Sequence, residues 1–313
     1  MVAFSTNRDR GEPGCRFATA PVAPALVQYA PLSRMSLPML AALLVTGALG
    51  ATSLSPDLAA VVAAERGFAL DAHRFGTRLA FLAHFDADAW LLRPTPVPAL
   101  PALARDPDDG RLLEWGPKQV AIAASGELAV STGPWAAHAA GATQYAHGHF
   151  LTFWKRGADG IWRVQADAGV GHPTPAPPTP GVTALVDASA TAPLDAAALA
   201  QRRIALENAD DALRAALARD PAHAFDAFAD PALHAMRDGQ LPADGAAALE
   251  LVRKDASGLG RGARRALDLS ASGDFAYTLG GDPACVECGS YMRAWHWRDG
   301  AWKLLVDLSL SNR

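Results

Sequence analysis

The sequence predicts an α+β protein built from two tandem copies of one unit, each with its helices first and its antiparallel strands last. Three observations carry this reading. Short motifs recur at a constant spacing, a proline-rich seam separates the recurrences, and the hydrophobic period changes partway through each copy.

Ser125-Gly126-Glu127-Leu128-Ala129 answers to Ser272-Gly273-Asp274-Phe275-Ala276, and Gly148-His149-Phe150 to Gly289-Ser290-Tyr291. Trp154 answers to Trp295, and Asp159-Gly160-Ile161-Trp162-Arg163 to Asp299-Gly300-Ala301-Trp302-Lys303. Trp162 to Trp302 is 140 residues, and Asp167 to Asp307 is again 140. A constant offset of domain size indicates duplication rather than a short solenoid repeat. Between the copies, Pro173, Pro175, Pro177, Pro178 and Pro180 leave no room for a helix or a central strand. The expected division is a first domain over 55–172, a semi-extended linker over 173–193 and a second domain over 194–313.

Each copy opens on a helix. Ser55 suits an N-cap, Pro56 the first helical position and Asp57 the positive end of the dipole. Leu58, Val61, Val62, Glu65, Phe68 and Ala69 then follow helical spacing. A short second helix is expected over Thr77 to Phe85. In the second copy Leu199, Ile204, Leu206, Leu213 and Leu217 lead to a stop near Asp220-Pro221, with another short helix around His223 to Phe228. The later half of each copy reads as hairpins: 118–124 with 127–131, and 149–155 with 162–170. Their counterparts are 264–270 with 275–279, and 291–297 with 302–310.

The 313 residues are half hydrophobic and 19% charged, which suits packed cores and excludes disorder as the main state. A net charge of −4 with mixed signs gives no electrostatic grip on nucleic acid or anionic lipid. Residues 1–34 are polar, Pro-rich and without periodicity, and read as a disordered leader or a mis-assigned start. Arg34, the apolar run from Leu37 to Leu49 and the small residues Ala48, Gly50 and Ala51 make 35–51 a secretory signal. The run is too short for a comfortable transmembrane helix, so an uncleaved anchor is the runner-up and no stable membrane insertion is expected after cleavage. Cys15 lies in the leader. Cys285 and Cys288 form a single Cys-x-x-Cys without the second pair that a zinc site needs, and export favours a local disulfide.

An Ala-Glu-Arg-x-Phe stretch, an Ala-Phe-Leu-x-x-Phe second helix, the Ser-Gly hairpins, Gly-His-Phe-x-x-x-Trp and Asp-Gly-x-Trp-Arg/Lys occur in order, before an acidic residue on the last strand. This pattern resembles the SnoaL-like branch of the nuclear transport factor 2-like superfamily, and its branch known as the domain of unknown function DUF4440. The resemblance covers nearly all of the first copy and, more loosely, the second. It implies two cone-shaped α+β barrels, each a sheet wrapped around helices to leave an apolar cavity. Relatives include ketosteroid isomerase, polyketide cyclases, dehydratases and non-catalytic binding domains, so fold does not settle function. Such domains often pair through their sheets, which implies pairing of the two copies within the chain.

Asp167 is the first chemical candidate. Val164, Ala166, Ala168 and Val170 alternate with Gln165, Asp167 and Gly169, so the aspartate stands opposite the apolar stripe. A carboxyl in apolar surroundings there can serve as a general base or acid; the plainer alternative is a solvated or structurally bonded aspartate. His147 and His149 share a face, either as partners of Asp167 in catalysis or metal binding, or as pocket-rim residues; the second copy lacks the pair, and no metal is assigned. Glu65 faces a cavity or marks the solvent edge of its helix, with the edge favoured. His84 and Asp86 form a dyad, or the histidine simply suits a helix C-terminus. Trp154, Phe150, Trp90 and Glu65 are the expected ligand-binding residues among a large aromatic complement.

The chain carries no Gly-rich phosphate loop, Gly-x-Ser-x-Gly elbow or His-Glu-x-x-His. No cofactor is implied. The leading expectation is an exported module binding a small apolar or amphipathic molecule in the first copy. Its rivals are a cofactor-free lyase or isomerase using Asp167, and an interaction scaffold with collapsed pockets. An open cavity with a buried carboxylate favours the enzyme, an open apolar one favours binding, and a filled one favours the scaffold.

Overall fold

The computed structural model describes residues 54–107, 110–139, 145–176, 181–186, 193–255 and 257–311. Residues 1–53, which hold the expected leader with Cys15 and the expected signal segment, and linker positions 177–180 and 187–192 lie outside the described residues. Among the described residues no helix is long and apolar enough to cross a membrane.

Helix α1 spans Pro56–Phe75, with the Ser55 hydroxyl accepting the Leu58 amide at 3.3 Å, as the capping signals require. It buries Leu58, Val61, Val62, Glu65, Phe68 and Ala72 and ends at Gly76, whose φ of 91° is one that a residue without Cβ adopts freely. Helix α2 (Thr77–His84) follows at once, and at Phe85 the chain passes directly into strand β1 (Phe85–Leu92). After β2 (Pro96–Pro98) and helix α3 (Ala99–Arg105) come β3 (Leu112–Trp115), β4 (Gln119–Ile122), β5 (Leu128–His138), β6 (Ala146–Arg156) and β7 (Trp162–Gly171). Linker residues form a short strand, β8 (Thr183–Ala184), parallel to β4.

The second half repeats the pattern. Helix α4 (Ala196–Arg219) is capped by Asp195, whose carboxylate accepts the Ala198 amide at 2.8 Å. Then follow β9 (Ala229–Arg237), β10 (Ala243–Asp244), α5 (Gly245–Lys254), β11 (Arg264–Leu269), β12 (Phe275–Gly280), β13 (Ser290–Arg298) and β14 (Ala301–Leu310). The short helix expected around His223 to Phe228 is a series of turns. Pro221 opens the stretch, it is too short to repay helix nucleation, and its carbonyl at Phe228 accepts the Leu304 amide of β14 at 2.7 Å instead.

One sheet runs β2-β1-β7-β6-β5-β4-β8, with β3 also on β5, and the other runs β10-β9-β14-β13-β12-β11. Six positions correspond in the same order. In each sheet the strand after the helices, β1 or β9, lies parallel to the last strand of its copy, β7 or β14. The sequence did not signal β1 or β9, because their long-range partners lie more than seventy residues away.

Each sheet has two covered faces. One packs on its own helices: Phe68, Phe81, Leu91, Trp154 and Val164 in the first copy, and Leu213, Phe225, Trp295 and Leu304 in the second. The opposite faces share a single apolar cluster that includes Leu151, Phe153 and Ala168 with Met236, Tyr277 and Met292. Phe153 and Tyr277 stack there at 4.7 Å. The two recurrent Ser-Gly turns also bond reciprocally, the Ser125 amide to the Ser272 hydroxyl and the Ser272 amide to the Ser125 hydroxyl, each at 3.1 Å.

A bulge in β7 revises the alternation read from sequence. Phe153 pairs with Ala166 but Trp154 with Val164, so the register shifts at Gln165. Val164 therefore joins the helix-side core, while Ala166, Ala168 and Val170 face the other sheet. The same shift in β14 separates Leu304 from Val306, Leu308 and Leu310.

Candidate functional site

Asp167, one residue past Ala166, stands on the helix side of its sheet and borders a slot in the first copy. Phe68 of α1, Phe81 of α2, Trp115 of β3, Trp135 of β5 and Phe150 of β6 supply its aromatic walls, with Thr77 and Arg111 also on its lining. Phe68 meets Trp115 and Phe81 edge-on, both at 4.8 Å. The cavity between the walls is about 40 Å³. The slot is therefore narrow.

Trp135 owes its position to glycines. A Cβ on Gly148 would lie 2.3 Å from the indole ring and 2.0 Å from the Val170 carbonyl oxygen, and a Cβ on Gly169 would lie 3.2 Å from the indole nitrogen. The Gly148-His149-Phe150 motif thus admits the tryptophan and supplies a wall beside it.

Two carboxyl groups lie on this side of the sheet. Asp167 is buried, and Thr152 donates to its Oδ2 at 2.8 Å. Burial pushes its carboxyl up, against the Thr152 hydroxyl and the Arg93 charge, which favour the ionised form. Glu65 is fully buried behind the aromatic wall. The Trp115 and Trp154 indoles donate to it at 2.7 and 2.8 Å, and Ser131 donates as well. Burial still outweighs these three donors, and with the Asp167 charge nearby the Glu65 carboxyl is pushed up to about 7. The expectation that Glu65 marks the solvent edge is corrected: its place on the apolar stripe points it inward, where two tryptophans hold it.

The second copy has the same two acidic positions in closed form. Asp307 corresponds to Asp167 and Asp210 of α4 to Glu65. Thr278 corresponds to Ser131, and Arg293 stands where the first copy has Thr152, as the strand pairings show. Arg293 reaches Asp307 at 2.8 Å and Asp210 at 3.3 Å, while Tyr291 donates to Asp210 at 2.9 Å. Arg237 bonds both Asp307, at 2.7 Å, and Asp255, at 2.8 Å. Burial pushes the Asp307 carboxyl up, but Arg237 and Arg293 outweigh it and hold it below the usual range. In the first copy Arg93, the counterpart of Arg237, pairs with Asp106, and two of its buried nitrogens have no protein partner.

Several expected site residues lie elsewhere. His149 pairs with Val170 across β6 and β7, so it projects to the inter-sheet side, away from Asp167. His147 shares that side, and neither histidine joins Asp167 in catalysis or metal binding. Trp90 also packs on the inter-sheet cluster rather than the slot. Trp154 is core, and acts through Glu65. His84 bonds Asp71 at 2.9 Å, not Asp86, because Asp86 lies in strand β1, which starts at Phe85 directly after the helix. Phe150 and Asp167 do line the slot. Cys285 and Cys288 are bonded to each other around a 3₁₀ turn between β12 and β13. Trp115 and Trp135 are slot walls that the sequence does not single out; Gly148, opposite Trp135 across β5 and β6, is the available signal.

No family model matches the chain, and no curated protein does. Solved structures to which it is similar are nuclear transport factor 2-like and ketosteroid isomerase-like proteins. One is a nuclear transport factor 2-like protein of unknown function from Shewanella oneidensis, at 16% identity over 35% of this chain and 94% of that one, with a TM-score of 0.30. Another is a ketosteroid isomerase-like protein from Erwinia carotovora atroseptica, at 17% identity over 38% and 98%, with a TM-score of 0.32. A third is a nuclear transport factor 2-like superfamily protein from Salmonella enterica, at 15% identity over 40% and 95%, with a TM-score of 0.32. Likeness at this level concerns fold and says nothing of activity.

Proposed function

We propose that the chain is an exported tandem module, with domains over 55–172 and 194–313. In this reading its first copy binds a small, flat, largely apolar molecule carrying one polar group. The observation that carries the reading is the contrast at one position: Asp167 borders an aromatic slot, whereas Asp307 is locked by Arg293 and Arg237. Aromatic walls supply the affinity, and a buried carboxyl held toward its neutral form donates a hydrogen bond to a carbonyl or phenolic oxygen. The second copy then serves as support.

A second reading, proton transfer by Asp167 in an isomerase or lyase, is favoured by the same buried carboxyl. The histidine partners expected for it lie on the other face, so Asp167 would act with the bound molecule's own groups.

A thermal-shift screen of the chain from Thr52 against planar ketones, phenols and sterols, with Asp167→Asn in parallel, tests both readings. A ligand at a hundred times its Kd should add about 2.7 kcal/mol of stability. Hits weakened by Asp167→Asn support binding in the slot. Turnover of a hit by the wild type, lost in Asp167→Asn while binding persists, selects the enzyme. Silence across the library removes the slot as a binding site and leaves the scaffold.

A further inference from the structure

We infer, given the binding role proposed for the slot, that the polar group of its guest is a carboxylate held side-on by the Arg93 guanidinium. The guest is then a small aromatic carboxylic acid in its ionised form. That is a narrower class than a single hydrogen-bond donor would admit.

Arg93 approaches from the strand beside Asp167. Leu91 of β1 pairs with Asp167 of β7, so Arg93, two residues on, falls on the same helix-facing side one step further along. That step is Gly169, which lines the slot; in the second copy its counterpart Ser309 pairs with Arg237. Ser309 carries a hydroxyl that bonds Asp307 at 3.1 Å, whereas Gly169 has no side chain to stand between slot and arginine. On the other flank of Gly169 is Trp135, whose indole nitrogen would lie 3.2 Å from a Cβ at this position.

The two copies differ in how the arginine is used. In the second, the side-on edge of Arg237 is taken by carboxylates, Nε bonding Asp255 at 2.8 Å and Nη2 bonding Asp307 at 2.7 Å. In the first, Asp106 ends α3 as Asp255 ends α5, but it takes Nη1 of Arg93 instead. Nε and Nη2 of Arg93, the same side-on edge, are both buried and have no partner among the described residues.

Unpaired buried donors on a cation are costly, and a guest that bonds both recovers that cost. The edge presents two parallel N–H groups, which match the two oxygens of a carboxylate; a ketone or phenol oxygen cannot reproduce that pairing. A cationic guest would leave both donors unpaired. The surrounding charges agree. Arg111, the other charged residue on the lining besides Asp167, is a cation. Burial pushes both Asp167 and Glu65 toward their neutral forms, and a neutral Asp167 donates to the bound carboxylate. Phe68, Phe81 and Trp115 supply apolar walls for the ring.

Isothermal titration of the full chain with sodium benzoate and with acetophenone, at about pH 7, separates the carboxylate from the rest of the guest. Both are small enough for a narrow slot. Benzoate should bind about tenfold or more tighter than acetophenone. Arg93→Lys keeps the charge beside Asp106 but lacks the two parallel donors; it should weaken benzoate about tenfold and leave acetophenone within about twofold. In the wild type, benzoate should shift the Arg93 Nε–H resonance in NMR, a readout that does not depend on how the variant folds. Acetophenone bound as tightly as benzoate, benzoate binding that survives Arg93→Lys, or saturation without a shift at Arg93 would each overturn the carboxylate assignment and leave the slot a binding site. No saturation by either probe up to about 50 mM would overturn it together with the binding role of the slot.

Discussion

Glu65 and Asp167 are both carboxyls whose burial outweighs their hydrogen bonds, and this gives the first copy a pH dependence of definite sign. A carboxyl raised in the folded state stabilises fully below its unfolded pKa, and that contribution is lost as pH rises through the folded value. For Glu65 the window runs from 4.5 to about 7. The corresponding loss is about 3 kcal/mol. His149 acts in the opposite sense: its ring is depressed to about 3, so its contribution falls as pH drops below the ordinary imidazole value. The wild type alone therefore mixes two trends. Subtracting the stability of Glu65→Gln, measured by urea unfolding from about pH 4.5 to 7.5, should isolate the Glu65 slope. A difference that does not change over this range would mean that Glu65 titrates normally.

At the scale of elements, strands of the same type end in different sites, and one position contributes directly to the difference. Arg293 in β13 fills the space that Thr152 leaves in β6. It is fully buried, and burial opposes its charge, but Asp307 and Asp210 on either side hold it firmly protonated. Removing one partner of such a network leaves uncompensated buried charge, so Arg293→Ala should cost about 3–5 kcal/mol by urea unfolding. Thr152→Ala, which removes one neutral hydroxyl, should cost about 1 kcal/mol. Equal costs would mean that the arginine network carries no more than ordinary packing.

For the whole molecule, the cluster between the sheets joins the halves. Phe153 and Tyr277 stack inside it, and the Ser-Gly turns clasp each other at its end. Residues from Leu54 onward belong to one compact unit, so urea should unfold them in a single transition. Phe153→Ala should cost about 3–5 kcal/mol and split that transition in two if the shared cluster is what couples the halves. A wild type that already unfolds in two steps would show that each copy stands alone.

Much of this was legible in the residues. Ser55, Pro56 and Asp57 marked the start of α1, the Ser-Gly pairs marked the hairpin turns, and the 140-residue offset marked the repeat, because caps, turns and duplication are local or self-similar signals. Asp167 stands on the face that its strand alternation predicts, because that alternation survives from Ala166 onward. The rest was decided by tertiary structure. A one-residue bulge at Gln165 determines which residues share a face with Asp167, and no local preference announces it. Glu65 became a buried, tryptophan-held acid only once β3 and β6 closed over α1. His149, His172, His234 and Asp244 gather from strands and linker far apart in sequence. The sequence by itself determined the capped first helices, the hairpins and their repetition; only the packed sheets decided which copy stays open, because that depends on partners the chain meets across space.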